Sequence, residues 1–533
     1  LLSGVARLYF SDALTGKRID EAFGLSAQQV SFTTKAGQSD LLEWTLKVPD
    51  LPGLLLQYDV VAIAGSYSDG ERNLLPVLSN RTLVTESRAV FLRPGQKKEI
   101  GPDRINELSE SSGFAMHRFS LEATPNPVWY AIQTLPYLNE YPFDCTEQLL
   151  NKLFAQVTGS AIVQSNPGIK KVLESRETVG SPLQLNEELK TSILSETPWV
   201  MDALKETRTA ADLLKFLDKQ QTREDILKLL DKLAERQSPS GGFSWFPGGQ
   251  ESWYVTQYTV EGFLRLEDMG LLDAELSERV TPLLTKAITF IDAEAENYLN
   301  ELKKIAHKQK KRFLKEDHLS PILIHYLFVR SHAGQWESSR PGEAYTFFLE
   351  QAEKYWPEKG IYRMGLIAMT LHRENNSKVL REIMRTLREQ SFTNEEMGMY
   401  WKNTSGYFWY QDPIETQALM IMLFSELGAP EAETDELRLW LLKNKQVRQW
   451  RSTKATAAAV FALLNYGTDW TNDNGTVLIT FPEADSADYR ATMDNALAGA
   501  SGGSGYFKAS WDEASFKPEL ADMKWENTGR SPA

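Results

Sequence analysis

The chain has 533 residues and a formal net charge of −14, with Lys and Arg interspersed among Asp and Glu instead of gathered into a basic face, which argues against nucleic acid or an anionic membrane surface as a partner. It is longer than the roughly 100–200 residues of one domain, and no apolar stretch reaches the roughly 18–20 residues of a membrane-crossing helix. A single cysteine excludes an intramolecular disulfide and any multi-cysteine metal site, leaving Cys145 as either an inert core residue or a reactive thiol.

The chain opens on Leu1-Leu2-Ser3-Gly4, without Met and without the basic start and long apolar run of a signal peptide. It reads as a piece of a longer protein, so its compartment stays open. Residues 1–125 carry strand signals: period-two alternation in Val30/Phe32, Leu42/Trp44/Leu46/Val48 and Tyr58/Val60/Ala62/Ala64, a turn signal at Ser68-Asp69-Gly70-Glu71, and a further strand in RTLVTESRAVFL. Short strands of this spacing suggest sandwich layers.

Between about 126 and 470 the period becomes helical, as in EQLLNKLFAQV, ADLLKFLDKQ, PILIHYLFV and ETQALMIMLFSELG. A weak repeat runs through this region. Gly241-Gly242-Phe243-Ser244-Trp245, Gly406-Tyr407-Phe408-Trp409 and Gln449-Trp450-Arg451-Ser452-Thr453 each precede a Thr-bearing helix. Repeated helix pairs bury their faces only against neighbours, so they stack into a solenoid or close into a ring. After 470 strand signals return in TVLITF, GYFKASW and MKWEN, with the small-residue loop ALAGASGGSG between the first two. The β–α–β order suggests one all-β domain interrupted by a helical insert.

The chemistry-bearing stretch is Tyr141-Pro142-Phe143-Asp144-Cys145-Thr146-Glu147-Gln148. Pro142 and Asp144 mark a helix entry, so Cys145 stands at or near the start of an amphipathic helix. Residues three apart share a helix face, which brings the Cys145 sulfur within reach of the Gln148 carboxamide. Attack of the thiolate on that amide, with loss of ammonia, closes a cyclic thioester, and a helix N-terminus favours the thiolate. Glu147, between them, points elsewhere on the helix, where it either complements the dipole of the first turn or takes a catalytic role.

Cys-x-x-Gln alone is a weak pattern. In its setting the stretch closely resembles the alpha-2-macroglobulin and complement thioester family, particularly its bacterial members, matching their signature at Tyr141, Pro142, Phe143, Cys145, Glu147 and Gln148. It departs at Asp144, where the family usually has Gly. GGFSWFPGG, WRSTKATAAAVFALL and GSGYFKASW extend the likeness over nearly the whole chain.

The resemblance implies a multidomain α + β fold. Residues 1–125 would be a macroglobulin-like β-sandwich and the first part of a CUB-like domain, 126–470 an α/α toroid thioester domain inserted in these β-sandwich segments, and 471–533 the returning part of the CUB-like domain. It also implies a Cys145–Gln148 thioester, no cofactor, and a protease inhibitor instead of an enzyme. Proteases would be the partners, trapped through their Lys amines. The full-length protein would be membrane-anchored at the bacterial envelope or periplasm, with bait and further domains outside this chain. Some members use a histidine as an acyl carrier, but none of His307, His318, His325, His332 and His372 matches a family motif. A shield of aromatic residues and a further β domain protects the family's thioester, so the expectation here is a labile bond at an aromatic-lined surface.

Two other readings remain. An α/α toroid carbohydrate-active enzyme would place two acidic residues across a cleft lined by Trp245, Trp253, Trp409 and Trp450, although aromatic packing at helix ends is the commoner use of such residues. A structural or adhesin scaffold would keep the fold with the thioester unformed.

Overall fold

A computed structural model describes residues 1–13, 15–25, 28–49, 54–77, 90–93, 95–101, 107, 116, 118–123, 131–165, 216, 219–309, 311–335, 342–402, 413–445, 449–466, 477–481, 507–512 and 522–528. They fall into two compact units, one holding described residues 1–77 and the other those from 90 onward.

The first unit is an antiparallel sheet of β1 (Leu2–Asp12), β2 (Gln29–Thr34), β3 (Leu55–Ala64) and β4 (Tyr67–Pro76), in the order β2-β1-β3-β4. Alternation turns Leu8 and Phe10 onto a small core with Phe23, Leu25, Leu56 and Val77. Two sequence expectations fail here. Residues 41–49 pair with no strand among the described residues, because only part of their apolar alternation finds cover: Trp44 packs against this core, whereas Leu46 and Val48 remain exposed. Ser68–Glu71 is not a turn but part of β4. The hairpin reverses at Gly65, whose positive φ of 62° suits a two-residue connection, and Val61 pairs with Gly70.

In the second unit the helices are α1 (Leu135–Glu140), α2 (Thr146–Ser165), α3 (Lys219–Ala234), α4 (Trp253–Asp268), α5 (Ala274–Gln309), α6 (Pro321–His332), α7 (Glu343–Tyr355), α8 (Ile361–Arg373), α9 (Ser377–Glu389), α10 (Pro413–Glu426), α11 (Glu431–Lys443) and α12 (Thr453–Asn465). They alternate in character. α10 is buried from Ile414 to Phe424, and α4, α8 and α12 are buried nearly all round. α9 buries only Leu380, Ile383, Met384 and Leu387, one stripe of an otherwise charged helix. A helix apolar on every side belongs inside, and a one-striped helix belongs outside it.

The contacts follow that division. α2 packs on α4, α4 on α6, α6 on α8, α8 on α10, α10 on α12, and α12 returns to α2. Gly262 permits the α2–α4 approach, since a Cβ there would stand 2.5 Å from the Leu150 side chain. Among the described residues no helix is long and apolar enough to cross a membrane.

Strands from before and after the helices pair with each other. β5 (Lys97–Ile100) and β9 (Val477–Thr480) flank β11 (Met523–Asn527), while β6 (Arg118–Ala123) pairs with β10 (Phe507–Asp512), all antiparallel. Their buried residues, among them Leu121, Trp511 and Trp525, form one core with Leu92. A small hairpin, β7 (Phe392–Asn394) with β8 (Gly398–Tyr400), lies within the helical region. The stretches ADLLKFLDKQ and ALAGASGGSG, most of RTLVTESRAVFL and the loop Gly406–Trp409 lie largely or wholly outside the described residues.

Candidate functional site: the start of α2

Two helices of the inner circuit, α4 and α12, begin with a shared device. Ser252 caps α4 by accepting from Val255 N, and Ser452 caps α12 by accepting from Ala455 N. One turn on, the Thr256 hydroxyl accepts from Phe243 N at 2.8 Å, and the Thr456 hydroxyl accepts from Trp450 N at 3.1 Å. The aromatic loop is thereby tied to the helix that follows, which gives two of the sequence repeats a physical purpose. At α2, Cys145 stands where those serines stand, its carbonyl accepting from Leu149 N at 2.9 Å.

The entry to α2 is firmly held. Thr146 N donates to Trp245 O at 3.0 Å and its hydroxyl to Ser244 O at 2.5 Å, while the Arg236 guanidinium donates to Asp144 O at 2.9 Å. The Asp144 carboxylate accepts from Lys152 at 2.6 Å and Lys232 at 2.9 Å, hydrogen bonds that push its pKa down to about 2. Asn375 is the only non-glycine with positive φ among the described residues, so Asp144 meets no backbone demand for glycine.

Around this entry Phe143 is 65% exposed and Phe246 61% exposed. Tyr137, Tyr141 and Phe143 make successive edge contacts at 6.0 and 5.8 Å between ring centroids, and Trp245 stacks on Tyr254. Pro142 is exposed. Cys145 is half-buried. Burial raises its thiol pKa most, and the Glu147 charge raises it too. The Gln148 and Glu147 backbone N–H groups and Arg236 act the other way without prevailing. The helix start does favour the thiolate, yet desolvation outweighs it.

Gln148 shares this first turn with Cys145 and is 7% exposed. Its Nε2 donates to Glu147 Oε2 at 2.9 Å and to Thr453 Oγ1 at 3.0 Å, whereas its Oε1 is buried without a hydrogen-bond partner among the described residues. Glu147 does not point away, as expected from its helical position. Its buried carboxylate folds toward Gln148, with Oε1 accepting from Asn151 at 2.6 Å and Thr453 at 3.1 Å. Asn151 is fixed in turn by Tyr258, whose hydroxyl donates to it at 2.9 Å. Burial raises the Glu147 pKa, against the hydrogen bonds of Thr453, Asn151 and Gln148 and the charge of Lys454.

Sequence reasoning missed Asn151 and Thr453. Asn151 follows Glu147 by four residues, a spacing that signals contact on a helix. Thr453 lies 305 residues from Gln148 and reaches it only because α12 packs on α2.

A second polar cluster lies among the inner helices, around a cavity of about 20 Å³ lined by Tyr258, Glu261, Arg265, Tyr362, Glu415 and Lys454 together with apolar residues. That is room for a water molecule, not a sugar ring. Glu261 pairs with Arg265 and, at 2.9 Å, with His325, while Glu415 pairs with Lys454 at 3.2 Å. Burial works to raise the Glu261 pKa, but Arg265, His325 and Lys454 hold it below the usual carboxylate range. A glycosidase acid needs the opposite shift.

The described tryptophans are taken up in packing. Trp450 is fully buried with its indole N–H on Leu441 O at 2.8 Å, Trp253 packs against Tyr326, and Trp409 lies outside the described residues. Of the remaining histidines, His332 faces Asp268 at 2.9 Å and His318 faces Phe313 O. Among the described residues no group of three or more His, Cys, Asp or Glu is arranged to hold a metal ion.

No family model and no curated protein matches this chain. Solved structures similar to it are those of bacterial alpha-2-macroglobulins. The native conformation of E. coli alpha-2-macroglobulin is 14% identical over 100% of this chain and 27% of that one, with a TM-score of 0.45. A native Escherichia coli alpha-2-macroglobulin structure spanning domain MG7 to the C-terminus is 13% identical over 99% of this chain and 68% of that one, with a TM-score of 0.42. Salmonella alpha-2-macroglobulin reacted with methylamine is 14% identical over 99% of this chain and 28% of that one, also at 0.42. The chain thus spans 27% of the length of the first of these.

Proposed function

We propose that the start of α2 forms an internal thioester between Cys145 and Gln148 and uses it to bond covalently to amine-bearing proteins. The sulfur adds to the Gln148 amide carbon, the C–N bond breaks and ammonia leaves. A Lys amine of the target then attacks the same carbon, forming an amide bond and releasing Cys145 as a thiol. The Tyr141–Gln148 signature makes proteases the partner class, so the chain serves as part of a protease trap and not as an enzyme. In this reading the helical circuit is an α/α toroid set into a CUB-like sandwich, behind a macroglobulin-like unit. The whole protein belongs to the bacterial periplasm or envelope, anchored to the membrane.

The observation that carries this reading is the environment of the Gln148 amide. It is buried in the same helical turn as Cys145, held by its nitrogen, and left without a donor at Oε1 among the described residues. An unsatisfied buried carbonyl costs about 1–3 kcal/mol. A thioester carbonyl is a weaker acceptor than an amide carbonyl, so the same burial penalises the thioester less. The site therefore disfavours the reactant relative to the product.

Radiolabelled methylamine tests the proposal. The wild-type chain should take up label in proportion to the Cys145 thiol released, and an amide-specific label at any other residue would overturn the assignment. The carbohydrate reading finds no support in a 20 Å³ cavity whose carboxylates are paired with cations.

A further inference from the structure

Ring closure must solve a proton problem. The Cys145 thiol carries a proton that has to leave before the sulfur attacks, and burial makes its loss harder. The amide nitrogen needs a proton before it can depart, because an amide anion is too basic to leave. A single group that takes the first proton and delivers the second would serve both needs.

We infer that Glu147 is that group, a catalytic acid–base for formation of the thioester, with Thr453 as the residue that positions it. The inference rests on the thioester reading above and deepens it. Its geometry is specific. One carboxylate oxygen, Oε1, is pinned by two donors, Asn151 and Thr453. The other, Oε2, faces the nitrogen that must leave, at 2.9 Å. The Thr453 hydroxyl accepts from the same nitrogen at 3.0 Å while donating to Glu147, so it fixes both reacting partners at once.

The step balances without any outside reagent. The Glu147 carboxylate takes the thiol proton, and the sulfur forms its bond to the Gln148 amide carbon. The carboxylic acid then gives that proton to Nε2 as the C–N bond breaks. Ammonia leaves and Glu147 is a carboxylate again. Reverse reaction is impeded once ammonia diffuses away.

The test follows the whole chain as it refolds from denaturant in the presence of methylamine. Samples are quenched in acid, and peptide masses give the fraction of residue 148 carrying the methylamide. Glu147→Gln should slow labelling about 100-fold or more, the usual scale of lost acid–base catalysis. Glu147→Asp keeps a carboxyl at the cost of shape, and should label faster than Glu147→Gln. A merely structural role predicts the reverse order, since Gln keeps the shape better. Thr453→Val should slow labelling about tenfold, with Thr453→Ser restoring it.

Labelling of Glu147→Gln at the wild-type rate, or faster than Glu147→Asp, would overturn the inference. If Glu147→Gln fails to fold by circular dichroism, the threonine pair decides, and Thr453→Val labelling at the wild-type rate is the overturning result. A wild-type chain that never labels would instead remove the thioester itself, a failure distinguishable from loss confined to the Glu147 and Thr453 variants.

Discussion

Two buried polar clusters occupy the helical domain, and they are built on opposite plans. Around Glu261, Arg265, Glu415 and Lys454 each carboxylate has a cation, and Glu261 is held ionised well below its ordinary range. At the start of α2 the Glu147 carboxylate has, among the described residues, only neutral donors within hydrogen-bond reach, its pKa is raised by burial, and the carbonyl of its neighbour Gln148 has no partner among them. The first arrangement holds a fold together. In the proposed reading, the second leaves a reactive group with free energy to lose by reacting. Burial alone does not separate structure from function here; what separates them is whether the buried groups are satisfied.

Variants can break this contrast. The largest effect on chemistry belongs to Cys145→Ala, which should abolish methylamine incorporation entirely while leaving the thermal midpoint close to wild type. The largest effect on stability belongs to Arg265→Ala, which leaves Glu261 buried with only His325 and the more distant Lys454 charge to offset it. Removing one partner of a buried pair costs about 3–5 kcal/mol, readable from the denaturant midpoint.

Glu147→Gln should cost far less stability, and its effect should depend on pH. The Glu147 pKa is higher in the folded chain than in the unfolded one, so ionising it opposes folding. That opposition is absent below the unfolded value of about 4.3, grows as pH rises through it, and is complete above the folded pKa. The stability of the variant relative to wild type should therefore rise in paired thermal melts as pH increases from about 4.3, and level off above the folded pKa. A relative stability that falls over this range would place Glu147 among the satisfied groups.

The smallest effect is expected from Asp144→Asn. The folded pKa is depressed to about 2, so its contribution is present above the unfolded value and is lost as pH falls through about 2. The carboxylate is 44% exposed and solvent-screened, which limits the loss to under about 1 kcal/mol at neutral pH. The wild-type advantage should shrink in melts taken progressively below about pH 4.

Much of the fold was legible in the sequence because it rests on local pattern. The switch from period two to helical period, the start of α2 after Pro142 and Asp144, and the aromatic loops before Thr-bearing helices can all be read from neighbouring residues. Residues 41–49 misled because alternation shows that a strand could have two faces, not that one face is covered along its whole length: Trp44 meets the core, but Leu46 and Val48 do not. The placement of Glu147 was misread for a related reason. Helical spacing fixes where Cα atoms lie, while a long carboxylate side chain follows its donors, here Asn151 and Thr453. Thr453 itself stood in a recognised repeat, but its partner across 305 residues exists only through packing of α12 on α2.

The chemical fate of residue 148 tests the central claim most directly. The whole chain, folded in methylamine, is digested and the peptide containing Cys145 and residue 148 is weighed and fragmented. The thioester account predicts a methylamide at position 148 beside a free Cys145 thiol, and glutamate at 148 when water replaces the amine. An unchanged Gln148 with an alkylatable Cys145 throughout would contradict it.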